Sequence, residues 1–106
     1  IEKNKLTPIF IAVYNTGIVS WESHRITFQF DDVFETRETT PTPNVSIDNN
    51  LHYVQNNSNK TISIGETSAT RFSVISKQIG KFPLKVMVTV KGKYAQSTRY
   101  LVINVV

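Results

Sequence analysis

The chain contains no cysteine, which removes disulfides, thiolate nucleophiles and cysteine-ligated zinc from any account of its stability or chemistry. The compartment stays open on that ground, because extracellular domains of sufficient size fold without bridges. Long apolar runs are also missing. The most apolar stretches, Pro8 to Tyr14 and Tyr100 to Val106, fall far short of the roughly 20 residues of a membrane helix, so no transmembrane span is expected. No segment sustains apolar spacing at i, i+3, i+4 and i+7, which excludes a long amphipathic helix. Charge is not concentrated either. The net charge of +4 arises from scattered Lys and Arg, a solvated basic surface without the like-charge block of a nucleic-acid arm. Glycine-rich phosphate loops and aromatic-basic RNA motifs are absent, so nucleotides and nucleic acids are not expected partners. The opening Ile1-Glu2-Lys3-Asn4-Lys5 has neither an initiator Met nor a signal pattern, and reads as the start of a piece excised or processed from a larger protein.

The residues that could carry chemistry do not assemble into a motif. His24 and His52 fall in different expected loops, with no His-x-x-x-His spacing to complete a zinc set. Asp31, Asp32, Glu35 and Glu38 form the one acidic concentration. Their spacing is not that of a calcium loop, and a solvated strand end accounts for them. Serines are abundant, yet no Gly-x-Ser-x-Gly elbow marks one as a nucleophile. Trp21, Tyr14 and Tyr53 could form a stacking platform for a flat ligand, but aromatics flanking apolar strands more often plug the core. The chain is therefore expected not to be an enzyme, and to need no cofactor and no metal.

What the sequence does contain is strand signal. With 106 residues and 40% apolar composition, it suffices for one domain around one core, residues 1–106. From Phe82 to Lys91, the residues Phe82, Leu84, Val86, Val88 and Val90 alternate with Pro83, Lys85, Met87, Thr89 and Lys91, which predicts a half-buried strand. Pro83 cannot donate to a ladder and belongs at a strand start or edge. Gly80, in the turn Gln78-Ile79-Gly80-Lys81, is expected at positive φ. Further strands are predicted at Ile9–Tyr14, Arg25–Phe30, Val45–Ile47, Lys60–Ile64, Arg71–Val74 and Ser97–Val106, with loops at Thr39–Pro43 and Asp48–Asn59 and a turn near Gly92–Ala95. About seven short strands without helices predict an all-β, two-sheet antiparallel sandwich, with a small barrel as the rival. In the last strand Leu101, Ile103 and Val105 would face inward. Tyr100, Val102 and Val106 then occupy the opposite register and form a candidate interface. Asn44, Asn56 and Asn59 each open a glycosylation sequon, which favours a secreted, extracellular protein.

The run Arg71-Phe72-Ser73-Val74-Ile75-Ser76-Lys77-Gln78-Ile79-Gly80-Lys81-Phe82-Pro83-Leu84-Lys85-Val86-Met87-Val88-Thr89-Val90 resembles the second half of a macroglobulin domain of complement-like and alpha-2-macroglobulin-like proteins. Phe10-Ile11-Ala12-Val13-Tyr14-Asn15 and Ile26 to Phe34 are similar to that domain's second and third strands, and Tyr100 to Val105 to its closing strand. Within the superfamily the chain most resembles the seventh macroglobulin domain of insect-type thioester-containing proteins. The resemblance implies an immunoglobulin-like or fibronectin-like sandwich acting as a packing module of a secreted innate-immune glycoprotein. Its partners would be the neighbouring domains of its parent and other secreted immune proteins. The Gly-Cys-Gly-Glu-Gln thioester sequence is absent from the chain, so the covalent chemistry of such a parent would lie elsewhere. The alternative is a stand-alone immunoglobulin-like recognition or adhesion module that binds a protein directly.

Overall fold

The alternating segment around Val86 forms β7 (Gly80–Val90), in which Leu84, Val86, Val88 and Val90 are buried while Lys81, Pro83 and Thr89 stand in solvent. The computed structural model describes residues 1–17, 20–37, 44–48, 52–90 and 95–106. Among them it contains eight strands and no helix. The other strands are β1 (Thr7–Tyr14), β2 (His24–Gln29), β3 (Phe34–Arg37), β4 (Val45–Asp48), β5 (Tyr53–Ser58), β6 (Thr67–Ser76) and β8 (Ala95–Val105). They form a three-stranded sheet in the order β1-β6-β3 and a five-stranded sheet in the order β4-β5-β2-β7-β8. Every pairing is antiparallel. No pairing joins one sheet to the other among the described residues, so the architecture is an immunoglobulin-like sandwich and not the rival barrel.

Period-two side-chain alternation directs one face of each sheet inward, and the two inner faces meet in a core of Phe and Val. Ile26 and Phe28 of β2 are fully buried, as are Val54 of β5 and Val74 of β6. A chain of ring contacts ties the layers together: Phe28 lies 5.5 Å from Phe72, Phe72 5.5 Å from Phe30, Phe30 5.7 Å from Phe34, and Phe34 5.6 Å from Phe82. The Phe34–Phe82 and Phe30–Phe72 pairs meet nearly edge to face, the arrangement favoured by the ring quadrupole. Phe82 is only half-buried, at the rim of this cluster. Gly80 has φ +148, and a Cβ there would approach the Phe82 ring to 3.2 Å, so a glycine is required at the entry to β7. Pro83 finds its edge within the sheet. The pairing of β2 with β7 stops at Gln29 and Lys85, so at Pro83 the strand has a neighbour only on the β8 side.

Several expectations are corrected. Lys60–Ile64 is not a strand: Ile62 is buried and makes a single bridge to Trp21, after which the turn through Gly65 (φ 84) ends any extension. The segment expected to be a loop from Asp48 to Asn59 contains β5, whose inward residues are Val54 and Asn56. Asparagine is rare in strands. Here its Nδ2 donates to Thr70 Oγ1 of the facing sheet at 2.9 Å, which replaces the lost solvation. Phe34 and Thr36 turn inward in the unexpected β3. His24 is not in a loop; it opens β2 and is buried. His52 does precede a strand, at φ 54. The expected loop at Thr39–Pro43, the residue Glu38 and most of the turn near Gly92 lie outside the described residues, although Val90 pairs with Ala95 to make β7 and β8 a hairpin.

Candidate functional site

β8 is the outer strand of the five-stranded sheet, and its two faces differ. On the outer face Tyr100 is 67% exposed, Val102 is 68% exposed, and Val106 just beyond the strand is 63% exposed. The register sets Val102 opposite Pro83 and Tyr100 opposite Lys85, so the apolar side chains of the proposed interface share a face with a proline ring and a lysine stem. The inner face closes progressively along the strand. Leu101, Ile103 and Val105 share the inward face as expected, with Leu101 opposite the buried Leu84, but only Val105 is buried, Ile103 is half-buried and Leu101 is 46% exposed. Arg99 and Ser97 continue the same inner row and are exposed.

The opening arises because β1 and β8, the strands at one side of the sandwich, do not pair with each other. Ile9, Ile11 and Val13 of β1 point inward yet remain half-buried. Between the two edges lies an open cleft of about 400 Å³ with Ile11, Val13, Trp21, Val88, Arg99 and Leu101 among its lining residues. Trp21 thus lines a cleft half-buried, while Tyr14 stands exposed beside it and Tyr53 lies half-buried in β5, so the three aromatics form no common platform. The sequence signal for the open end is polar residues at inward positions: Ser97 and Arg99 have the same parity as Leu101, Ile103 and Val105.

The three sequon asparagines have different surroundings. Asn44, at φ 70, and Asn59 are exposed. Asn56 is 7% exposed and its Nδ2, the atom to which a sugar would be attached, is held by Thr70. A glycan has room at the first two positions and none at Asn56 in the folded domain. Among the described residues no three His, Asp or Glu side chains converge on one point. Asp31 Oδ1 instead accepts the backbone N–H of Val33 at 3.3 Å, closing a local turn. No family model and no curated protein matches the chain.

One buried polar pair was not foreseen. Nε2 of His24 lies 2.9 Å from Ser68 Oγ, with the Trp21 ring 5.6 Å away. A nucleophile needs access to substrate and a third group to orient its base. Ser68 is buried, and Nδ1 of His24 is buried with no hydrogen-bond partner. Protonation of the ring would place an N–H at Nδ1 with nothing to accept it, and burial lowers the His24 pKa from its ordinary value of 6.5. The folded state thus favours the neutral ring, and the unfolded chain takes up a proton first as pH falls. The associated stability is fully present above 6.5 and is lost as pH falls from there through the lower folded-state value. Thermal midpoints measured between about pH 5 and 8 should therefore drop on acidification, and His24→Gln should flatten that part of the profile. An unchanged slope in the variant would assign the effect to another group.

Proposed function

We propose that this domain is a non-catalytic packing module of a larger secreted protein, docking on a neighbouring domain through the outer face of β8. The observation that carries the reading is the exposure of Tyr100, Val102 and Val106 together on one side of an edge strand. Apolar side chains grouped in this way mark contact surfaces more often than solvated ones. The residue resemblance of the β6–β7 region and of β8 extends the proposal to a macroglobulin domain of a thioester-containing, complement-like protein. The exposed sequons at Asn44 and Asn59 support secretion.

Val102→Asp tests the contact. Because Val102 is exposed in the free domain, its unfolding free energy should change by no more than about 0.5 kcal/mol. In the parent protein the carboxylate would be desolvated without a partner at the docking surface, at a cost of about 3–5 kcal/mol, and interdomain docking followed by limited proteolysis should loosen accordingly. Unfolding of the free domain would place Val102 in the core. Unchanged docking would remove the β8 face from the interface and favour the stand-alone recognition module.

A further inference from the structure

Charge is divided unevenly along the chain. All eight Asp and Glu lie within residues 2–66, whereas residues 67–106 contain seven Lys and Arg and no acidic residue. β7 and β8, which come from the basic part, pair with each other at one side of the five-stranded sheet. On the outer face of this pair Pro83 lies opposite Val102, and both are exposed. Lys85 and Tyr100 face each other on one side of them, Lys81 and Asn104 on the other. Lys81 and Lys85 are four residues apart on one strand, about 13 Å, so two lysines frame an apolar centre. Neither forms an ion pair among the described residues. Asp48 of β4 is the one acidic strand residue on the outer face of that sheet among the described residues, and β5 and β2 separate it from β7. That separation is about 14 Å, beyond the roughly 8 Å over which exposed charges act at physiological salt.

We infer that what docks on this face is an acidic protein surface, with an apolar side chain set against Pro83 and Val102 and carboxylates on either side for Lys81 and Lys85. This partner chemistry rests on the docking proposed above and adds the charge that the partner carries. An apolar centre with a charged rim is the anatomy of a protein–protein contact. Two lysines about 13 Å apart around such a centre suit a protein better than a sulfated polysaccharide, whose closely repeated anionic groups call for a continuous basic track. In the free domain water screens the two like charges, and on docking the partner's carboxylates would offset them. Rim charges of this kind act mainly on the rate of encounter and its salt dependence, while the apolar centre sets the lifetime of the complex.

The test pans the full chain against a library of random displayed peptides and measures the binding rates of the enriched sequences by surface plasmon resonance. They should carry Asp or Glu on both sides of an aromatic or aliphatic residue. The double variant Lys81→Glu, Lys85→Glu should slow their association at least about tenfold, and raising salt from about 0.01 to about 0.15 M should slow it in the unmodified chain. Replacing the Asp and Glu of a peptide by Lys should restore its binding to the double variant, which a misfolded variant could not show. Val102→Lys should speed dissociation although it adds positive charge, and Lys60→Glu, just past β5, should change neither rate. If Val102→Lys weakens binding while the double variant does not, the face docks but its partner is not acidic, and the docking proposal stands without this inference. If the peptides bind Val102→Lys as well as the unmodified chain, they are held by charge alone or at another place, and the docking face falls as well. Failure of acidic peptides to enrich, or a heparin octasaccharide binding this face in their place, would also overturn the acidic protein partner.

Discussion

Phe28→Ala is expected to lower the unfolding free energy by about 3–5 kcal/mol, read from the denaturant midpoint at unchanged slope. Phe28 is fully buried in β2, a strand bonded on both sides by β5 and β7. Its ring meets Phe72 of the opposite sheet at 5.5 Å, so truncation removes both transfer energy and the contact that spans the layers. A domain of this size has roughly 5–15 kcal/mol in total, and the variant should melt on the order of 20 °C lower. Phe10→Ala is the control. Phe10 is exposed on the outer face of β1 with the Arg71 guanidinium 5.0 Å from its ring centroid, a contact worth about 0.5–1 kcal/mol at such a site. Equal losses in the two variants would mean that the inner faces are not packed as described.

That contrast also shows where the sequence could be read and where it could not. β7 and the inner row Ile26, Phe28 and Phe30 were legible because apolar side chains alternate without interruption and the facing sheet buries each of them. β5 was not, because its inward Asn56 is tolerated only through Thr70, fourteen residues away and in the other sheet. A satisfied buried amide and a solvated one have the same letter in the sequence. The signals around Ile62 were misleading in the opposite way: a buried isoleucine with β-branched neighbours made one bridge and no ladder. Tyr100, Val102 and Val106 were placed on a common face by parity alone, and their exposure agrees with that placement. The cleft on the other face of β8 was missed, although Ser97 and Arg99 at inward positions record it. Polar residues in an otherwise apolar row show where the opposing sheet stops covering the strand.

Asn15→Asp should produce a large, pH-dependent loss of stability from a nearly isosteric change. Asn15 is fully buried at the end of β1. Its Nδ2 donates to the Ile62 carbonyl at 3.0 Å and its Oδ1 accepts from Gly17 N–H at 3.1 Å. Its main chain also joins the turn, with N–H donating to the Glu66 carbonyl and the carbonyl accepting from Gly65 N–H. One side chain therefore holds the exit of β1 against the segment that leads into β6. In the aspartate variant an oxygen replaces Nδ2 and faces the Ile62 carbonyl. The ionised form repels that carbonyl in a desolvated site, at a cost of about 3–5 kcal/mol, whereas the protonated acid can donate to it and restore the bond. The fold thus favours the neutral acid and raises its folded-state pKa above the unfolded value of about 3.9. Between those two values the native state binds more protons than the unfolded chain, so the variant loses stability as pH rises through that window and stays at its lowest level above it. The difference from the parent sequence should shrink as pH falls toward about 4. Asn15→Ala, which removes the bonds to Ile62 and Gly17 without adding charge, should cost about 1–3 kcal/mol at every pH. If the aspartate and alanine variants show the same pH-independent deficit, the side chain of Asn15 does not hold Ile62 in the way the distances indicate.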